Sequence, residues 1–91
     1  MAKQWTMIAH PNYFRSLRSA ITDSELRYRF VTEIWNQLQE NDNPKDDARI
    51  MPDAPNCYEI DLMGYTLIFK LPDDKPNDLE LLEVYKQVDE T

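Results

Sequence analysis

The sequence contains one glycine, one cysteine and one histidine among 91 residues. The scarcity of cysteine and histidine limits the metal sites and catalytic groups that the chain can form. A lone Cys57 cannot form an internal disulfide, and with His10 as the single histidine neither a structural zinc site nor a Cys/His catalytic pair is expected. No apolar run approaches the roughly 20 residues that span a bilayer, and the N-terminus lacks the pattern of a secretion signal. We therefore expect a cytoplasmic protein without metal, cofactor or membrane segment.

Basic residues are also scarce, since ten Lys and Arg stand against seventeen Asp and Glu and give a formal net charge of -7. This charge disfavours a surface that binds a phosphate backbone unaided, so direct binding of nucleic acid is not expected. The distribution is uneven, because residues 1–31 carry five basic and two acidic side chains and the remainder is strongly acidic. Ordinary scatter of surface charge is the alternative explanation.

Apolar residues are plentiful enough for a folded domain. They make up 42% of the chain, and aromatic residues make up 11%, which argues against disorder. A chain of 91 residues has room for one modest hydrophobic core. We therefore expect residues 1–91 to fold as a single domain.

Near the N-terminus the apolar residues first alternate and then recur at helical spacing. The alternation over residues 4–9 stops at His10 and Pro11, because proline has no amide hydrogen to donate and favours an extended residue before it. Pro11 suits the first turn of a helix, and the apolar positions up to Ile21 predict a helix of about three turns. A first strand followed by a short helix is the expected order.

A second helix is predicted to begin at Thr22. The sequence Thr22-Asp-Ser-Glu is a capping-box pattern, in which Thr22 would bond the amide three residues further on. The apolar residues that follow form one continuous stripe, which is expected in the core and consists of Leu26, Phe30, Val31, Ile34, Trp35 and Leu38. A polar run ending at Pro44 stops the helix, and residues 44–56 are predicted to be an irregular connection, the longest loop of the chain.

Three β-patterned runs, at residues 58–62, 65–71 and 79–86, close the sequence. The first two alternate between apolar and polar residues, as half-buried strands do. They are joined through Met63 and Gly64, and the single glycine is expected to supply a positive backbone φ in a tight hairpin turn.

The last run differs because it is apolar on both faces, at Leu81, Leu82 and Val84. A strand that is apolar on both faces is typically central in its sheet. Taken with the preceding elements, this predicts an α+β fold in which an N-terminal strand and a helical hairpin pack on a three- to four-stranded antiparallel sheet.

Three segments carry a resemblance that extends over essentially the whole chain. They are the opening Trp5-Thr-Met-Ile-Ala-His-Pro with the aromatic-rich helix after it, the segment from Tyr58 to Lys70, and the final Leu81-Leu-Glu-Val-Tyr-Lys. In this order they resemble the RelE/ParE superfamily of toxins from bacterial type II toxin–antitoxin systems. The resemblance implies two helices on one face of a twisted antiparallel sheet, with the working residues on the other, concave face.

The resemblance also implies where catalytic residues would lie. In ribosome-dependent members the concave face is basic, because negative charge grows on the phosphorus oxygens while the ribose 2′-hydroxyl attacks. The family's arginine after the hairpin glycine falls on Thr66, and its terminal basic pair falls on Lys86 and Gln87. The remaining catalytic candidates are Lys70, Lys86 and the acid–base candidate Tyr85. Solvated or packed strand residues are the alternative, and the many neighbouring carboxylates favour a protein that is not a nuclease.

A second working surface follows from ParE-type members, which bind DNA gyrase instead of cutting RNA. The basic helical hairpin would then be the partner-binding surface, formed by Arg15, Arg18, Arg27 and Arg29. An antitoxin would be captured along a sheet edge or a helix groove. We therefore expect a toxin-like protein that acts by protein binding, with an antitoxin and a gyrase-type target as partners. The alternatives are a non-toxic acidic interaction module on the same fold and a ribosome-dependent messenger RNA endoribonuclease.

Other candidate groups have simpler explanations. His10 has no nucleophile in a defined position beside it and is predicted to be a turn residue before proline. The adjacent acids at Asp46 and Asp47, and at Asp73 and Asp74, lack the alternating oxygen ligands of a calcium loop, so no metal site is expected there.

Overall fold

The computed structural model of the chain describes residues 4–87. Its elements in chain order are β1 (Thr6–Ala9), α1 (Pro11–Ala20), α2 (Ser24–Leu38), a 3₁₀ helix (Pro44–Asp47), β2 (Arg49–Ile50), β3 (Cys57–Leu62), β4 (Tyr65–Lys70) and β5 (Asp78–Lys86). The strands form one sheet in the order β1-β5-β4-β3-β2. The predicted α+β class is confirmed.

Two details of the predicted sheet are wrong. Within residues 4–87 the sheet has five strands, and β1 pairs with β5 in parallel, whereas the other neighbours are antiparallel. The two helices separate β1 from the other strands in the sequence, and β1 is an edge strand whose neighbour is β5. An alternating pattern predicts a strand but carries no information on its direction.

The hydrophobic core lies between the two helices and one face of the sheet. Its fully buried members include Phe30 and Ile34 from α2, Leu67 and Phe69 from β4, and Leu79 from β5. The helices therefore cover a single face of the sheet, as the resemblance implied. No helix within residues 4–87 is both long enough and apolar enough to cross a membrane.

The second helix differs from its prediction at the N-cap and in one core residue. Its N-cap is Asp23, whose carboxylate accepts a hydrogen bond from the Leu26 amide at 3.0 Å, so the predicted cap at Thr22 is one residue early. Trp35, which was expected in the core, is 41% exposed. The buried residues of α2 are Phe30, Ile34 and Leu38, which are four positions apart. Trp35 follows Ile34 directly, so its side chain points about 100° away from them around the helix axis.

A bulge in β5 explains why that strand is apolar on both of its predicted faces. Ile68 pairs with Glu83 whereas Phe69 pairs with Leu81, which leaves Leu82 as an extra residue between them. The extra residue shifts the alternation, so that Leu81 and Val84 both reach the core. The strand lies between β1 and β4, and its predicted interior position in the sheet is confirmed.

The hairpin and the long connection complete the sheet. Gly64 has a φ of +83°, as predicted, and Met63 also has a positive φ of 55°, which matches a two-residue turn of the primed type. Within the connection that was predicted to be irregular, Arg49 and Ile50 form β2 and pair with β3. A strand of two residues is too short to produce a recognisable alternation, so the sequence could not predict it.

Candidate functional site

The sheet has a face that the helices do not cover, which we call the helix-free face. It carries Glu59 and Asp61 from β3, Thr66, Ile68 and Lys70 from β4, and Glu80, Glu83 and Tyr85 from β5. The strand register sets Asp61 beside Thr66 and Thr66 beside Tyr85 in one row across the sheet. This row is where the resemblance would place the catalytic groups of a nuclease.

Arg49, from the neighbouring edge strand, forms an ion pair with a carboxylate of this face. Its guanidinium bonds both carboxylate oxygens of Asp61, at 2.5 and 2.9 Å, and the Thr66 hydroxyl donates to the same carboxylate at 2.8 Å. The bond from Arg49, and then that from Thr66, lowers the pKa of Asp61 from 3.8 to about 2. At neutral pH the carboxylate is therefore ionised, and the positive charge of Arg49 is compensated within the protein.

Tyr85 lies beside the Arg49–Asp61 pair, and its hydroxyl is also hydrogen-bonded within the protein. Its hydroxyl donates a hydrogen bond to the Glu59 carboxylate. Burial, and to a lesser extent the contact with Glu59, raises the pKa of Tyr85 above its ordinary value of 10.0. At neutral pH the phenol is therefore protonated, so that it can donate a proton or a hydrogen bond but cannot act as a base.

The two lysines that the sequence singled out lie on different faces of the sheet. Lys70 shares the helix-free face and pairs in register with Glu80. Lys86 pairs with Tyr65, whose ring packs edge-on against Phe30, so the alternation of β5 directs Lys86 towards the helix side. The structure therefore does not bring Lys86 together with Lys70 or Tyr85. Thr66, at the position of the family's arginine, is 2% exposed and holds Asp61 in place.

The remaining carboxylates of the helix-free face hold the start of the first helix. The His10 Nε2 atom lies 2.8 Å from a Glu80 carboxylate oxygen, and the Asn12 amide donates to Glu83 at 2.9 Å. His10 is the N-cap residue of α1, which agrees with its interpretation as a turn residue. Carboxylates thus outnumber cations among the described residues of this face, and they would repel a phosphate backbone.

Sequence reasoning missed Arg49 as a residue of this face. Its position depends on the pairing of β2 with β3, which places it opposite Glu59 and within reach of Asp61. No local pattern around Arg49 indicates that pairing, because β2 contains two residues.

A second candidate surface is a groove of about 310 Å³ between the helices, which we call the α1–α2 groove. It is lined by Phe14, Leu17, Arg18, Ser24, Arg27, Tyr28 and Val31. Phe14 is 51% exposed and Tyr28 is 74% exposed. The groove therefore presents aromatic rings to solvent beside two guanidinium groups.

Two of the four arginines predicted to bind a partner line the α1–α2 groove. These two are Arg18 and Arg27, and Arg27 donates a hydrogen bond to the Ile21 carbonyl at 3.0 Å. Arg29 lines a separate groove of about 220 Å³, together with Asp23, Glu25 and Leu26. Arg15 lines neither of these two grooves.

Metal binding has no structural support in residues 4–87. Within that range no group of three or more His, Cys, Asp and Glu side chains is arranged to hold a metal ion.

Solved structures with the same architecture are toxin–antitoxin proteins. The toxin–antitoxin complex RelBE2 from Mycobacterium tuberculosis aligns with a TM-score of 0.75 at 14% identity, over 96% of this chain and 95% of that chain. A mutant of the toxin RelE from E. coli in the free state aligns with a TM-score of 0.65 at 22% identity, over 94% and 84%. The RelB–RelE antitoxin–toxin complex from Methanococcus jannaschii aligns with a TM-score of 0.57 at 17% identity, over 87% and 88%.

These likenesses extend over nearly the whole chain and establish its fold. No protein-family profile and no curated protein sequence matches the chain. The chain shares the fold of these RelE structures, which confirms the α+β architecture that the sequence resemblance implied. At these identities the likeness shows a common fold, and the activity has to be argued from the residues of this chain.

Proposed function

We propose that this chain is the toxin of a type II toxin–antitoxin system and that it acts in the cytoplasm by binding a protein instead of cutting RNA. The claim that the chain does not cut RNA rests on one observation. The candidate catalytic groups of the helix-free face are already hydrogen-bonded to carboxylates of the protein. Arg49 is bonded to Asp61, and Tyr85 is bonded to Glu59. A phosphodiester would have to displace these carboxylates from Arg49 and Tyr85. The negative charge that prevails on this face would also oppose the negative charge that grows on the phosphate in the transition state.

The fold supports an antitoxin as one partner. The similar structures from Mycobacterium tuberculosis and Methanococcus jannaschii are complexes of a toxin with an antitoxin. In this chain, Arg18 and Arg27 beside exposed aromatic rings are the part of the helical pair best suited to bind a protein. The proposed cellular target is a protein such as DNA gyrase, in the manner of ParE-type members.

Growth after controlled induction tests the proposal. The intact chain is expected to arrest growth, and co-expression of the product of the adjacent reading frame is expected to restore it. Pulse labelling then identifies the target, because a gyrase-type toxin stops DNA synthesis before protein synthesis. The control is the same chain truncated before Leu79, which lacks an interior strand of the sheet and cannot complete the core. Normal growth with soluble, folded, intact protein would leave the non-toxic acidic interaction module as the function.

A second candidate function is ribosome-dependent cleavage of messenger RNA. It is favoured by one cluster on the helix-free face, where a protonated Tyr85 lies in the same row as Asp61, the carboxylate that holds Arg49. Under this alternative, Tyr85→Phe and Arg49→Gln would each abolish growth arrest, and protein synthesis would fail first. Under the proposed function both variants still arrest growth, because neither side chain belongs to the helical pair that is proposed to bind the target.

A further inference from the structure

The α1–α2 groove has polar groups at one of its ends. Residues 21–23 join the two helices, so the end of α1 lies beside the start of α2. Arg18 and Ser24, which line the groove, are each three positions from Ile21, one on either side of it. Arg27 donates its hydrogen bond to the Ile21 carbonyl. Two guanidinium groups and a hydroxyl therefore lie near the place where the helices are joined.

The other end of the groove is aromatic. Phe14 lies about one helical turn before Arg18 on α1, and Tyr28 lies about one turn after Ser24 on α2. Both rings are more than half exposed, so the hydrophobic core does not use them. Aromatic rings that remain in water at a groove offer stacking faces to a planar ligand. About 5.4 Å along the helices therefore separates the aromatic end from the polar end.

The charge of the groove is positive, although the protein as a whole is acidic. Arg18 and Arg27 line it, and none of the described residues that line it is acidic, whereas the chain has a net charge of -7. Asp23 and Glu25 flank Ser24 in the sequence but line the separate groove. Two guanidinium groups match the roughly two negative charges of a phosphate monoester. A long polyanion would instead meet the acidic surfaces around the groove.

The size of the groove favours a small ligand. Its volume of about 310 Å³ is at the lower end of the range for small-molecule sites. Its lining calls for a planar ring and a phosphate that are about one helical turn apart. A nucleoside monophosphate has this order of groups, because the ribose separates the base from the phosphate. Stacking uses the π-face that every base has, so the groove is not expected to select one base.

We propose that the α1–α2 groove binds a nucleoside monophosphate. The base stacks on Phe14 and Tyr28. The phosphate pairs with Arg18 and Arg27, and the Ser24 hydroxyl is a further hydrogen-bond donor. Nucleotide binding does not depend on the proposed function. Its consequence does, because the same arginines are proposed to bind a protein partner, and a nucleotide in the groove would exclude that partner.

NMR titration of the intact chain with adenosine 5′-monophosphate tests this site. The amide signals of the groove residues are expected to shift and to saturate. The affinity is expected to exceed that of adenosine alone and that of inorganic phosphate alone by about tenfold or more, because the nucleotide joins two contacts in one molecule.

Substitutions separate the two ends of the groove. Arg18→Gln and Arg27→Gln are each expected to weaken binding of the nucleotide about tenfold and to leave binding of adenosine unchanged. Tyr28→Ser is expected to weaken binding of the nucleotide and of adenosine but not of inorganic phosphate. Arg15→Gln and Arg29→Gln are matched controls that remove the same charge outside the groove, and each is expected to change affinity less than about threefold.

Four results would overturn the inference. The first is the absence of saturable binding up to about 10 mM nucleotide. The second is inorganic phosphate or adenosine that binds as tightly as the nucleotide, because one end of the groove would then be idle. The third is equal loss of affinity in the control variants, which would indicate a diffuse attraction to basic residues. The fourth is a single-stranded oligoadenylate that binds more than about tenfold more tightly than the mononucleotide, because the ligand would then be nucleic acid.

Growth arrest, measured separately, distinguishes this inference from the proposed function. Arrest by the intact chain together with absent nucleotide binding would refute the groove assignment and leave the toxin assignment standing. Saturable nucleotide binding without growth arrest would support the groove assignment and refute the toxin assignment.

Discussion

The hydroxyl of Ser16 allows a direct test of how the first helix is joined to the sheet. It accepts a hydrogen bond from the Val84 amide at 2.9 Å and donates to the Tyr13 carbonyl at 3.1 Å. Strand β1 pairs with β5 as far as Leu81, so the Val84 amide lies beyond the reach of that strand and is satisfied by the serine. Replacing Ser16 with alanine would leave this donor without its partner beside a core side chain.

The magnitude follows from two opposing effects. A buried backbone donor without a partner costs about 1–3 kcal/mol, whereas alanine improves helix propensity by about 0.5 kcal/mol over serine. We therefore expect Ser16→Ala to lower the free energy of unfolding by about 1–2 kcal/mol. For a domain of this size each kcal/mol lowers the melting temperature by about 4–8 °C.

Urea unfolding followed by circular dichroism would measure this loss, with Ser19→Ala as the control. Ser19 lies on the same helix and is exposed, so the same substitution there is expected to leave stability unchanged or slightly raised. The reasoning is refuted if the Ser16 and Ser19 variants are equally stable. Such a result would mean that the Val84 amide has another partner or is reached by water.

Three further predictions concern single residues. Because folding lowers the pKa of Asp61, its contribution to stability is fully present above pH 3.8 and is lost as the pH falls towards 2. Asp61 and Arg49 are both more than a third exposed, so Asp61→Asn should lower the free energy of unfolding by less than about 1 kcal/mol at pH 7. In urea titrations the same substitution should flatten the dependence of stability on acid pH. Asp23→Ala should cost about 1 kcal/mol in thermal unfolding, whereas Thr22→Ala should be nearly neutral, and the reverse order would contradict the observed N-cap. Gly64→Ala should cost about 1–2 kcal/mol through its positive φ alone, since an added Cβ meets no atom within 4 Å; a much larger loss of stability would reveal a clash.

The elements that depend on local periodicity could be predicted from the sequence. The two helices, the hairpin at Gly64 and the strands on either side of it are marked by spacing or alternation, and the structure contains all of them. The features that were missed depend on distant pairing. The parallel direction of β1, the bulge at Leu82 and the two-residue β2 each result from how strands meet, and no local pattern encodes that.

The candidate sites were predictable to a smaller extent for the same reason. Lys70 could be assigned to the helix-free face from the alternation of β4. The face of Tyr85 could not be predicted in this way, because the bulge decides the phase of β5 after Leu82. Arg49 reaches that face through an edge strand with no sequence signal. The pairing of Arg18 with Arg27 across one groove depends on how the two helices pack, which their separate periodicities leave open.

The parallel pairing of β1 with β5 has a consequence for how the protein is made. The contact between His10 and Glu80, where these strands meet, joins residues 70 positions apart in the chain. Closing so long a loop is entropically costly and delays folding until both ends are present. During synthesis the emerging chain therefore remains without a finished core until β5 has been made. Under the proposed function, the activity of the chain would therefore have to wait until β5 has been made.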